Sequence, residues 1–350
     1  MTTDGTNASA GAFSCQVSSL NENTTYYYKA YVLEYNAATQ EYEERFADEV
    51  KSFTTTAQTA LVPGYWLEMP SYTTSAMAGT TTSSLTDLYP HTLYATMNGA
   101  TARNYSMLYD PEMYASYWVA YPMCYDHING SGRSDQWAFD NQVPQSKQTN
   151  LTKGAYGVSY PSTQYTSNVY ARGHQIANAD RNGVDDMCDQ TFYMTNLTPQ
   201  IQNGFNGGIW NNLEDAVRAL ISSNTASTDT VYVVTGAAFR KTTDGTGKTI
   251  TYITNTRDGK SLPVPNYYWK AVLKVKWAGS GDGRHVEQAK AIGFWYPHTE
   301  LKGESYCDAK YVVNVDQIEE WTGFDLFHNL PDTIEATAET NTSWSSFQSF

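Results

Sequence analysis

The chain has 350 residues, enough to bury one large core or two smaller ones. Its 28 Tyr and 9 Trp point to a β-rich protein of the secreted or surface type. No apolar run approaches the roughly 18 residues of a membrane span, and Cys15, Cys124, Cys188 and Cys307 show neither CxxC nor zinc-type spacing, which argues against a thiolate-held metal.

The first sixty residues read as strands: an alternating Phe13–Val17, a long β-forming run from Thr25 to Leu33, and Glu49–Thr55. Residues 58–62 read as a linker. Residues 63–350 then form a second domain. Its Thr/Ser-rich stretch Thr73–Thr86 predicts an exposed loop. Tyr114–Tyr121 alternates as a strand that Pro122 is expected to end, Val231–Gly236 reads as a short buried strand, and Tyr267–Trp277 as a half-buried one. Ala289–Tyr296 is a further strand. Helices are predicted over Phe205–Leu220, with an apolar stripe of Ile209, Leu213, Ala216 and Leu220, and from about Val315 to a stop at Gly323. The tail from Thr333 to Phe350 reads as partly disordered.

Three strings carry the chemistry: Arg172-Gly173-His174, then Asn196-Leu197-Thr198-Pro199-Gln200, then Phe205-Asn206-Gly207-Gly208-Ile209-Trp210-Asn211-Asn212-Leu213-Glu214. They supply an imidazole, an amide able to ligate a hard cation and a carboxylate. Phosphodiester hydrolysis needs a base to make the nucleophile and a cation to hold charge on the phosphate. The order and spacing resemble the DNA/RNA non-specific endonucleases of the ββα-metal type, the group that includes the Serratia nuclease. The likeness runs over roughly residues 107–335.

That resemblance implies an α+β fold whose site is a β-ribbon and a helix around one metal. It implies hydrolysis of DNA and RNA to 5′-phosphate ends with little sequence preference. His174 is the implied general base and Asn206 the implied ligand of Mg²⁺, with Mn²⁺ as a substitute; the rival reading of Asn206 is a helix N-cap. Glu214 stands eight residues on. Along one straight helix that is about 12 Å of rise and some 80° of rotation, close enough to reach a water on the metal. Asn196 and Gln200 are expected to fix the loop and its waters. Arg172 and Arg133 would offset phosphate charge, and Gly173 would allow close approach to a ligand or a sharp turn. The family's signature begins with an acid where Ala171 stands here, and Asp180 is a candidate replacement. The string from Leu20 to Thr55 resembles the last strands of a fibronectin type III domain, with Tyr26 in its tyrosine corner.

A net charge of −14 runs against nucleic-acid binding. Residues 1–62 hold three basic and eight acidic side chains, a net of −5, leaving −9 for the rest. A local basic cleft with a cation can still attract phosphate. For the cysteines, a Cys124–Cys188 bridge near the site and four free thiols are equal alternatives. Two other functions stay open: a catalytically weak surface or adhesion protein that retains the nuclease fold, and a delivered nuclease toxin with an inhibitor partner. Met1-Thr2-Thr3-Asp4-Gly5 lack the start of a signal peptide, so an extracellular or cell-surface location is expected from composition and resemblance. Oligomeric state is not legible.

Overall fold

The computed structural model describes residues 25–38, 41–54, 66–152, 170–221, 230–239, 249–280 and 284–350. The chain divides into two compact units, one within Met1–Val62 with Ala278–His285 and one within Pro63–Trp277 with Val286–Phe350. Phe13–Val17 and the linker 58–62 lie outside the described residues. In the first unit the long run from Thr25 is two strands. Thr25–Tyr28 pairs antiparallel with Lys51–Thr54, and Tyr31–Asn36 pairs with Glu41–Phe46. Tyr26 stacks on its cross-strand partner Phe53 at 5.8 Å, a pairing that stabilises such ladders.

The second unit is α+β. Its main strands are β1 (Tyr89–Met97), β2 (Ala100–Asp110), β3 (Ala115–Met123), β4 (Tyr170–His174), β5 (Leu197–Ile201), β6 (Val231–Ala238), β7 (Tyr267–Ala278), β8 (His285–Pro297) and β9 (Val312–Val313). Seven form one sheet in the order β9-β8-β7-β6-β3-β2-β1. β4 and β5 form a separate antiparallel ribbon. Its main helices are α1 (Asn211–Arg218), α2 (Val315–Thr322), α3 (Asp332–Ala338) and α4 (Trp344–Gln348).

The sheet is covered on both faces. Residues 267–273 of β7 are all buried, where alternation had suggested a half-buried strand. The reason is that successive β7 side chains serve two cores. Tyr268 points to Phe205 (5.3 Å), Trp210 (5.6 Å) and His298 (4.9 Å). Trp269 points the other way, to Phe324 at 6.2 Å. On that second side Trp295 meets Trp321 of α2 at 4.8 Å. α2 begins where the Asn314 side chain accepts the Gln317 N–H and ends at Gly323, as the sequence predicts.

Several expectations are corrected. β3 continues through Pro122 to Met123, and the Pro122 carbonyl accepts from Arg181 at 2.8 Å. The Thr73–Thr86 stretch contains a capped helical turn, Thr74–Met77, whose Met77 is fully buried. The tail is ordered into α3 and α4 because Trp344 and Phe347 reach the core; Trp344 lies 5.5 Å from Phe294. Cys124 and Cys188 are free thiols with separate partners, His127 Nδ1 at 3.3 Å and the Asn178 carbonyl at 4.0 Å. Cys307 is also free; Cys15 lies outside the described residues.

Gly236 of β6 sits between Trp118 and Trp269 in the ladder. A Cβ there would meet the Tyr117 carbonyl oxygen at 2.3 Å and the Trp269 ring at 2.4 Å. Overpacking of this kind costs about 1–3 kcal/mol, more than the roughly 0.4–1 kcal/mol gained from a stiffer unfolded chain. Gly236→Ala should therefore lower the urea midpoint without changing the slope. A midpoint equal to wild type would show that β6 and β7 can part without penalty.

Candidate active site

The ribbon is pinned to the sheet before any catalytic group is considered. The Tyr268 hydroxyl donates to the Pro199 carbonyl at 3.0 Å and shares a 2.8 Å hydrogen bond with Thr198. His298 accepts the Ile201 N–H through Nε2 at 2.8 Å, while its Nδ1 donates to the Pro265 carbonyl at 2.8 Å. Burial holds this imidazole neutral, with its pKa pushed down to about 4. Across the ribbon Gly173 pairs with Thr198, and Ala171 with Gln200. A Cβ on Gly173 would lie 2.3 Å from Gln200 Cβ and 2.6 Å from its Oε1. The glycine thus makes room for a neighbouring side chain. It lies within a paired strand and not in a sharp turn, one of the two roles the sequence suggests for it.

His174 ends β4. Its Nδ1 lies 3.2 Å from the Arg172 carbonyl, which can only accept, so Nδ1 carries the proton and Nε2 the lone pair. Nε2 is enclosed and has no hydrogen-bond partner. Trp137 (5.6 Å) and Phe192 (5.1 Å) wall the ring edge-on. Burial, then the Arg133 charge, push its pKa down to about 3, so the ring stays neutral near neutral pH with its lone pair at Nε2. Arg172 stacks on Trp137 at 3.1 Å and donates to the Leu151 carbonyl. Arg133 is held by Asp135 at 2.8 Å and Asn178 at 3.0 Å, above Phe192.

The helix predicted over Phe205–Leu220 is broken. A wide turn, Gln202–Trp210, has non-helical dihedrals at Asn203, Gly204, Gly207 and Gly208, and only then does α1 begin. The straight-helix separation of Asn206 and Glu214 therefore does not apply. The break lets both line one pocket, together with Arg133, Arg172 and His174. Asn206 caps no helix: the cap positions of the turn and of α1 are Ile201 and Trp210. Its Nδ2 donates to Gln202 Oε1 at 3.0 Å, which leaves the side-chain carbonyl oxygen for another partner. Burial pushes the Glu214 carboxyl up, against the lowering effect of Lys270, and the same burial pushes Lys270 down.

Asn196 and Gln200 lie behind the pocket, fully buried. Asn196 accepts the Ile176 N–H at 3.0 Å and donates to the Ile176 and Thr191 carbonyls, clamping the loop after His174. Asp180 does not replace the acid missing at Ala171. Its oxygens are committed to Arg218 at 2.6 Å and Tyr121 at 2.7 Å, deep in the unit. The carboxylate whose charge acts on His174 is Asp135, which also grips Arg133. Sequence reading missed Asp135, Trp137, Asn178 and Gln202. Only Trp137, a lone tryptophan directly after the polar Gly130–Gln136 stretch, carried a visible signal.

A model of the DNA/RNA non-specific endonuclease family matches residues 87–333. A nuclease of Nostoc sp. is 27% identical over 272 residues, 73% of this chain and 88% of the relative. The nuclease of Serratia marcescens is 29% identical, covering 63% of this chain and 71% of its own length. Human mitochondrial endonuclease G is 29% identical over 65% of this chain and 68% of its own. A solved complex of EndoG with EndoGI matches in fold with a TM-score of 0.50 and 22% identity, over 69% of this chain and 88% of that one. With the ribbon, the helix and the pocket between them already in place, these likenesses make the chain a member of the DNA/RNA non-specific endonuclease family, a nuclease with the ββα-metal fold.

Proposed function

We propose that this nuclease hydrolyses DNA and RNA with His174 as general base and leaves 5′-phosphate ends. The observation that carries the reading is the His174 lone pair at Nε2, enclosed, without a partner, in a pocket that also holds two arginines. His174 takes the proton of the attacking water, whose oxygen bonds to phosphorus as the bond to the 3′ oxygen breaks. Arg133 and Arg172, each held by its own neighbours, offset charge on the non-bridging oxygens. Contacts to the backbone and not to bases give little sequence preference.

The donor set fits a hard cation. Asn206 offers a carbonyl oxygen whose amide nitrogen is already held by Gln202, and Glu214 lines the same pocket. Oxygen donors in this number suit Mg²⁺, with Mn²⁺ as a substitute. When bound, the ion supplies stabilisation of charge on the phosphate and the leaving oxygen. Asn206 would hold it directly and Glu214 through water. The location outside the cell rests on composition; active enzyme confined to the cell lysate, with none in the medium, would count against it.

His174→Ala should lower cleavage by about 10²–10⁴-fold with an unchanged circular dichroism spectrum. Equal rates for variant and wild type would remove His174 from the base role. Asn206→Ala should raise the Mg²⁺ concentration needed for half-maximal rate far more than Glu214→Ala does. The reverse order would make Glu214 the direct ligand.

The −14 charge leaves few basic groups to meet phosphates at once. Binding of a short duplex to metal-free protein should therefore show a shallow salt slope. It should correspond to roughly two to four phosphates at about −0.9 each. Tight binding with a slope near about −6 would reveal an extended basic track.

A further inference from the structure

Away from the pocket, α2 and α3 bring carboxylates together. Asp316 is in the first turn of α2 and Glu319 three residues on, so both lie on one helical face. Glu339 is the C-cap of α3, and its carbonyl accepts the Val315 N–H at 3.0 Å, which locks the end of α3 to the start of α2. Carboxylate oxygens of Asp316, Glu319 and Glu339 lie within 4.8 Å of one another. Glu335 and Asp325 add further negative charge nearby.

Proximity of acids alone proves nothing, and the first helical turn by itself accounts for Asp316. Glu339 is different. The residue is only 4% exposed, and its Oε1 is enclosed without any hydrogen-bond partner. No ion pair among the described residues involves Asp316, Glu319 or Glu339. One oxygen of Glu319 is taken by the Leu326 N–H at 2.6 Å, which fixes the carboxylate and leaves its other oxygen available. A buried, unpartnered carboxylate costs several kcal/mol unless a proton or a cation neutralises it; burial and the neighbouring acids hold Glu339 well above the usual carboxylate range, and a cation at the cluster would displace that proton.

We propose that Asp316, Glu319 and Glu339 form a structural divalent-cation site of the Ca²⁺ class, separate from the catalytic pocket. Three oxygens at the corners of a triangle with sides near that limit are each about 2.8 Å from its centre. Small side-chain shifts bring them to the roughly 2.3–2.6 Å of Ca²⁺ ligation. Ca²⁺ tolerates irregular geometry and completes its shell with water, which the exposed Asp316 side admits. Mg²⁺, with its stricter octahedron, fits this set less well. The ion would staple α2 to α3 and so hold the C-terminal helices against the sheet.

The test uses the full chain after chelation, read by thermal unfolding and by calorimetric titration with CaCl₂ alone. Wild type should gain about 5 °C in Tm at saturating Ca²⁺. Asn206→Ala, altered only in the catalytic pocket, should keep that gain. Glu339→Gln, which preserves size, should lose it and bind one fewer Ca²⁺. In chelator Glu339→Gln should be at least as stable as wild type, because repulsion is relieved. Asp316→Asn, at an exposed position, gives the same readout should Glu339→Gln fail to fold. A wild-type Ca²⁺ shift retained in both variants, or no shift in wild type at millimolar Ca²⁺, overturns the site.

Discussion

The buried hydroxyl of Tyr268 fixes the catalytic half of the molecule. It joins the middle of the large sheet to the ribbon strand β5 through Thr198 and Pro199. In a buried setting neither oxygen has water as an alternative, so the pair resists sliding. With β5 fixed, the ladder register sets β4, and the register sets which way His174 points. Phe205 and Trp210 pack on the same tyrosine ring, so the Gln202–Trp210 turn answers to it as well. Ribbon and turn, the two walls of the pocket, thus share one anchor.

The charges around the pocket form two layers. In front, Arg172 is held by the Trp137 face and the Leu151 carbonyl, and Arg133 by the Phe192 face, the Asn178 amide oxygen and the Asp135 carboxylate, which keeps both cationic forks in place at little entropic cost. Behind, Arg218 bridges Asp180 and Asp215, and Tyr121 satisfies the second oxygen of Asp180. This rear network holds α1 against the sheet and carries Glu214 with it. An acidic protein therefore presents a local positive edge, because most of its acids are elsewhere or already paired. The opposite extreme is the α2–α3 corner, where acids gather without a basic partner.

Four of the six histidines show how little a residue type says by itself. His91 meets Asp140 at 2.9 Å, His127 sits beside Cys124, and His298 tethers the ribbon. His91 and His298 have both ring nitrogens engaged in building the fold, and His127 has its Nδ1 on Cys124. His174 differs because one nitrogen is engaged and the other is enclosed and free. That distinction is invisible in composition and belongs to packing.

The sequence determined much of this protein by itself. Runs of β-formers marked β3, β6, β7 and β8, since backbone preference and burial act locally. Gly323 marked the end of α2, because a stop signal is a chemical feature of a single residue. The order Arg-Gly-His, Asn-Leu-Thr-Pro-Gln, Phe-Asn-Gly-Gly marked the family, and five of the seven residues singled out for chemistry meet in one pocket. What the sequence hid is what distant segments decide together. The double burial of β7 needs the covering layers on both sides. The break at Gly207-Gly208 was read as helix because periodicity counts apolar residues and ignores dihedrals. Gly173 looked like a loop or ligand glycine until Gln200, 27 positions away, was seen to occupy the space its Cβ would need. Asp135 replaced Asp180 as the acid near the base because side-chain reach is set by the fold. Contacts between segments far apart in the chain leave no periodic trace along it, and only the tertiary structure could supply them.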